Sequence, residues 1–146
     1  MIKENFNIFY TDDDKDDRDT FIDAVNEISK SWKILTQSDG DELINLLKSP
    51  PPFATIIFLD LNMPRKNGYE VLKEIRQTDD FKDIPIVILS TSNDENTIAK
   101  TRLLGASLYI SKPWSFNSLK DVIQYAISIN WETFGTSGDD FVYKAN

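Results

Sequence analysis

The chain has 146 residues, 40% hydrophobic and 27% charged, which suits one ordinary globular domain and excludes a disordered chain. A formal net charge of −8 excludes a surface built to release counterions from a phosphate backbone, so no nucleic-acid partner is expected. The sequence has no cysteine, no histidine and no apolar run near the roughly 20 residues that span a bilayer; this excludes disulfides, thiolate metal sites, a histidine base and membrane insertion, and a cytoplasmic protein is expected.

The opening MIKENFNIFY lacks an apolar run of signal-peptide length, and its FNIFYT at 6–11 predicts the first strand. That strand runs into TDDDKDDRD at 11–19, where six aspartates in nine residues are offset only by Lys15 and Arg18, both read as surface relief. Asp12 and Asp13 close the strand, and Asp14 is placed to cap the following helix. Asp16 and Asp17 fall in its first turn, where the positive helix end favours carboxylates; Asp19 is read as solvated. Phe21, Val25 and Ile28 then recur at helical spacing.

WKILT at 32–36 mixes polar and apolar residues and predicts an edge strand. A weaker helix over 39–48 is ended by SPPP at 49–52, because proline removes a donor and clashes with the preceding turn. TIIFLD at 55–60 and PIVILS at 85–90 are nearly continuous in apolar residues, as expected of strands covered on both faces, and Val71, Leu72 and Ile75 mark a helix between them. Residues 94–104 predict a helix with a thin apolar stripe, SLYIS at 107–111 the fifth strand, and Leu119, Val122, Ile123, Ala126 and Ile127 the last helix. From Trp131 onward WETFGTSGDDFVYKAN loses periodicity. It predicts a loosely packed tail over 131–146, with no second domain, behind a single domain at 1–130. Trp131, Phe134, Phe141, Val142 and Tyr143 offer the more specific alternatives of covering the core or forming a dimer or partner contact.

Strands alternating with helices predict an α/β fold, a doubly wound (βα)5 sandwich whose parallel five-stranded sheet has the order 2-1-3-4-5. Ligands of such sheets sit beyond the carboxyl ends of the strands, at the switch point between the first and third. Asp12 and Asp13, Asp60, Ser90 and Lys112 all stand at those ends, so three carboxylates, a hydroxyl and an ammonium group are expected to converge. Carboxylates facing one another need compensating charge, and Mg2+ suits a few short Asp side chains plus phosphate oxygen. A calcium loop fits worse. Asp12, Asp14 and Asp16 match its first, third and fifth positions, but Asp17 and Asp23 stand where it requires Gly and Glu. A carboxylate beside a cation, with Lys and Ser nearby, is equipped to attack a phosphoryl group.

The stretches TDDD at 11–14, LDLNMPRKNGYEVLKEIR at 59–76, PIVILSTS at 85–92 and GASLYISKPW at 105–114 resemble, in that order, the receiver domains of two-component response regulators. The block LDLNMPRKNG especially resembles that of single-domain regulators that partner phytochrome-type and other sensor kinases. The resemblance covers about residues 5–129 and implies a flavodoxin-like fold. It further implies that Asp60 is the phosphoacceptor, supplied by a sensor histidine kinase, a phosphotransfer protein or a small acyl phosphate. Mg2+ would be held by Asp13 and Asp60 directly, by Asp12 through water and by the Asn62 backbone carbonyl. Lys112 would contact the phosphoryl group, with a cis bond before Pro113, while Ser90 swings towards it and Tyr109 turns inward behind. The face built from 94–104, 107–111 and 115–129 would then report phosphorylation to a downstream protein. Such a protein is not an enzyme beyond its own phosphorylation and dephosphorylation, and it is expected to be a monomer or weak homodimer. Thr11, Thr91 and Trp114 depart from the family's usual apolar residue, Ala or Gly, and Phe; the larger Thr91 implies restricted access to the site and slow dephosphorylation. Two other readings compete: a phosphorylation-independent interaction module on the same fold, and an aspartyl-nucleophile phosphohydrolase. The hydrolase pattern needs a second Asp where Asn62 stands.

Overall fold

The computed structural model describes residues 6–135 and 138–143; positions 1–5, 136–137 and 144–146, which include the ends of the opening stretch and of the expected tail, lie outside them. In chain order the elements are β1 (Asn7–Thr11), α1 (Lys15–Ile28), β2 (Lys33–Gln37), α2 (Gly40–Leu47), β3 (Ile56–Leu59) and α3 (Gly68–Gln77). They continue with β4 (Ile86–Ser90), α4 (Glu95–Leu103), β5 (Leu108–Ser111), α5 (Phe116–Ser128), a 3-10 turn (Asp139–Phe141) and β6 (Val142–Tyr143).

All strand pairs are parallel and the sheet order is β2-β1-β3-β4-β5-β6. The five expected strands therefore take the expected doubly wound order, with β2 at an edge. The apolar runs of β3 and β4 have the expected cause: every residue of both strands is buried, because helices cover both faces of the sheet. Ile8, Tyr10, Ile56, Phe58, Val87 and Leu89 face α1 and α5, in a layer with Phe21, Val25 and Ile123. Their neighbours Phe9, Ile57, Leu59, Ile86 and Ile88 face the other way, towards Leu43 and Ile44 of α2 and Val71, Leu72 and Ile75 of α3. Each such fully buried side chain contributes about 1.5–3 kcal/mol relative to exposure. α4 buries only Thr101, in keeping with its thin stripe. No helix among the described residues is long and apolar enough to cross a membrane.

The expectation of a loosely packed tail is corrected by its last described residues. Phe141 is fully buried against the layer of α2 and α3, and Val142 and Tyr143 pair with Tyr109 and Ile110 of β5. Tyr143 packs on Tyr125 at 4.7 Å between ring centroids, and Arg102 lies 4.7 Å over the Phe141 ring while its Nη2 donates to the Gly138 carbonyl at 3.0 Å. A two-residue strand has no period to read, and one anchoring phenylalanine leaves no stripe, so the sequence carries no pattern for this packing. Among the described residues the cis peptide bonds are Pro50–Pro51 and Pro51–Pro52; the bond before Pro113, for which the resemblance implied cis, is trans.

Candidate functional site

Sheet register brings the acidic residues together. Thr11 of β1 is level with Leu59 of β3, so the residues one step beyond, Asp12 and Asp60, leave the sheet side by side. Backbone bonds hold both exits: Asp60 N donates to Thr11 O and Asp12 N to Gln37 O, each at 3.0 Å. The Thr11 side chain is fully buried and donates to Gln37 Oε1 at 2.8 Å, which accounts for a polar residue at a core position. The start of α3 lies against the Asp60 exit. A Cβ on Gly68 would stand 2.5 Å from the Asp60 carbonyl oxygen and 2.7 Å from Leu61 Cα, so only glycine fits there.

Carboxylate oxygens of Asp12, Asp13 and Asp60 lie within 4.8 Å of one another, and could hold one metal ion. Asp12 and Asp60 are buried, at 1% and 4% exposure, whereas Asp13 is open to solvent. Burial, followed by the charge of Asp12, pushes the Asp60 carboxyl up to about 7, against the opposing pull of Lys112 and of the Asn62 backbone N–H. Three carboxylates converge here with one ammonium beside them, so the cluster is short of positive charge. An oxygen-seeking divalent cation fits it, since three carboxylates open to solvent on one side match the few protein ligands Mg2+ takes. Asn62 itself is exposed on the loop after β3.

Lys112 follows β5, and its backbone N–H bonds to Ser90 O at 2.7 Å, which ties it to the end of β4. Its Nζ donates to Asp12 Oδ2 at 2.8 Å and to Asp17 Oδ2 at 2.9 Å, and lies 3.8 Å from Asp60 Oδ1. Burial lowers the pKa of this ammonium, but the bonds to Asp12 and Asp17 and the charge of Asp60 outweigh it, so the net shift is upward and Lys112 stays charged. Ser90 is fully buried, and its Oγ accepts from the Ser92 N–H at 3.2 Å. Tyr109 is also fully buried and already points inward, its hydroxyl donating to the Ser92 carbonyl at 2.6 Å. Burial pushes the Tyr109 phenol pKa up.

The structure therefore brings Asp12, Asp13, Asp60 and Lys112 into one cluster, with Ser90 and Tyr109 bonded to Ser92 on the adjoining loop. Two participants escaped the sequence reading. Tyr10 donates to Asp12 Oδ2 at 2.5 Å from two residues back on the same strand face, and burial and then Asp12 drive its pKa upward. Strand alternation alone could have placed these two side chains together. Asp17, read only as a helix-start acid, also binds Lys112. Arg18 is a further correction: rather than surface relief, its Nη1 donates to the Asp12 carbonyl at 2.8 Å. Lys15 does stay at the surface, paired with Asp19 at 2.7 Å. Asp14 caps α1 by accepting from the Asp16 and Asp17 N–H groups. Trp114 and Thr91 are exposed at the rim.

A family model described as the response regulator receiver domain matches residues 8–124. Response regulator RR06 of Streptococcus pneumoniae is 32% identical over 146 residues, covering 96% of this chain and 64% of its own length. Response regulator Rcp1 of Synechocystis is 40% identical over 85 residues, covering 58% of this chain and 56% of its own length. The chain thus spans less than two thirds of the length of these curated relatives. Among solved structures, the phosphorylated cyanobacterial phytochrome response regulator RcpA matches with a TM-score of 0.78 at 31% identity, over 90% of this chain and 97% of that one. The Mn2+-bound form of Rcp1 matches with a TM-score of 0.74 at 30% identity, over 89% and 97%.

Proposed function

The chain belongs to the family of response regulator receiver domains, and from that premise we propose that its Asp60 accepts a phosphoryl group from a phosphohistidine of a partner protein. Receiver domains are signalling proteins of two-component systems that take phosphate from histidine kinases or phosphotransfer proteins. The observation that carries the proposal is the buried Asp60 carboxylate, flanked by Asp12 and Asp13 within 4.8 Å and by the Lys112 ammonium at 3.8 Å.

In the proposed step an Asp60 oxygen bonds to phosphorus as the P–N bond to the donor imidazole breaks. The bonding pair returns to the ring nitrogen, which takes up a proton, and the chain is left with an acyl phosphate. Asp13, Asp60 and the Asn62 carbonyl, with Asp12 through water, would hold Mg2+, which would supply positive charge against the phosphoryl oxygens. Lys112 neutralises a further oxygen, and the Ser90 hydroxyl turns from Ser92 towards the new acceptors. Tyr109, already inward, follows Ser90 through the Ser92 loop. A dianionic group with strong acceptors then biases the packing of α4, β5 and α5, which a downstream protein reads. This activity belongs in the cytoplasm, in a monomer or weak homodimer with no nucleic-acid or membrane partner, and the chain turns over nothing but its own phosphoryl group.

Incubation with Mg2+ and acetyl phosphate, followed by intact-mass measurement and an assay against phosphate esters, tests the reading. One phosphoryl group per chain, lost in base and absent from Asp60→Asn, is the expected result. Turnover of esters would mark a phosphohydrolase instead, and an unchanged mass would mark an interaction module that does not use its acidic site.

A further inference from the structure

Lys112 is held by one carboxylate more than the proposed phosphoryl chemistry uses. Its Nζ is bonded to Asp12 and to Asp17, while Asp60 at 3.8 Å is beyond hydrogen-bond reach. The freedom of Asp17 to make this bond has a local cause. In a capping box the Glu or Gln three residues after the helix N-cap reaches back to the N–H of the cap. Here the Asp14 N–H already donates to Asp12 Oδ1 at 2.9 Å, and the Asp17 N–H is served by Asp14 Oδ1 at 3.2 Å. The Asp17 carboxylate is thereby released to turn across to the residue that follows β5. The two bonds to Lys112 also differ in depth. The Asp12 side chain is 1% exposed and that of Asp17 45%, so the first is locked in the interior while the second is open to water and costs little to break.

We infer that Asp17 is a positioning residue for Lys112: a displaceable carboxylate that holds the ammonium back from Asp60 until a phosphoryl oxygen takes its place. The inference rests on the phosphoacceptor reading of Asp60. Asp17 thereby sets how readily an anionic donor is engaged, because the ammonium, held 3.8 Å from Asp60 by its bonds to Asp12 and Asp17, must leave Asp17 to close on an oxygen bound at Asp60.

The test compares full-length wild type with Asp17→Asn, Asp17→Glu and Asp16→Asn, and repeats Asp17→Asn in a Lys112→Met background. Two quantities are measured: hydrogen exchange of the Lys112 ammonium by NMR without metal, and phosphoryl uptake from acetyl phosphate with Mg2+. Asp17→Asn is expected to speed both, uptake by about three- to tenfold, mostly through a lower half-saturating donor concentration. Asp17→Glu should stay near wild type. Asp16→Asn removes the same charge one residue away without touching Lys112, and should change neither. In the Lys112→Met background the effect of Asp17→Asn on uptake should vanish. Unchanged ammonium exchange in Asp17→Asn, uptake equal to wild type, or an effect that persists without Lys112 would each overturn the inference. A wild type that takes up no phosphoryl group at all would overturn the phosphoacceptor reading as well, and is told apart because every variant would then be equally inert.

Discussion

Asp60 is a carboxylate whose surroundings favour its proton. Burial and Asp12 raise its carboxyl from the ordinary 3.8 to about 7, so the folded chain binds that proton more tightly than the unfolded chain does. The stabilising contribution is fully present below the unfolded value near 3.8 and is lost as pH rises through about 7. Metal-free protein should therefore lose stability between pH 5 and pH 8 on account of this group, whereas Asp60→Asn should not. At pH 8 the variant should be more stable than wild type by about 1–3 kcal/mol, less than the full shift implies because Lys112 also loses an anionic neighbour. Urea denaturation at the two pH values without metal measures this. Parallel pH profiles for wild type and Asp60→Asn would mean that Asp60 is not held protonated. Mg2+ should restore the stability of wild type alone, since a bound cation provides the charge that the protein withholds.

At the scale of elements, the site is assembled by where strands stop and helices start. The Asp60 exit from β3 runs directly beneath the first turn of α3, and Gly68 makes that approach possible. Gly68→Ala should cost about 1–3 kcal/mol through overpacking against backbone, and should weaken Mg2+ binding because the residue displaced is Asp60. Chemical denaturation with a metal titration checks both; wild-type stability with wild-type affinity would show that α3 does not set the Asp60 position. The same logic explains what could be read from the sequence. Asp12, Asp13, Asp60 and Lys112 were legible as neighbours because each stands at the carboxyl end of a strand, and a doubly wound sheet gathers those ends. Asp17 and Tyr10 were not, because a simpler local explanation covers each: an acid at a helix start, an aromatic in a core strand. Their partners are set by folding, and Lys112 stands 95 residues from Asp17.

At the scale of the whole molecule, the fold was legible for a related reason. Strands covered on both faces leave apolar runs, and β1, β3, β4 and β5 kept theirs, while the mixed WKILT marked the β2 edge. The closing β6 left no such trace, yet it adds a sixth strand along β5 and covers the side of the sheet next to α4. Phe141 is its anchor. Phe141→Ala should cost about 3 kcal/mol or less, at the low end for a buried phenylalanine, because a two-residue strand paired only with β5 can undock locally without unfolding the rest. Backbone hydrogen exchange at residues 109–110 should quicken in the variant and in a truncation after Asn130. If both proteins kept wild-type stability and exchange, β6 would be no part of the folded unit.

Signalling by this chain turns on which atom takes the phosphoryl group. The most direct measurement is to phosphorylate the full chain with acetyl phosphate and Mg2+, reduce the acyl phosphate chemically, and locate the altered residue by peptide mass mapping. A single modified position is expected, Asp60, absent when Mg2+ is omitted and absent from Asp60→Asn. Modification at Asp12 or Asp13, or undiminished uptake by Asp60→Asn, would contradict that expectation.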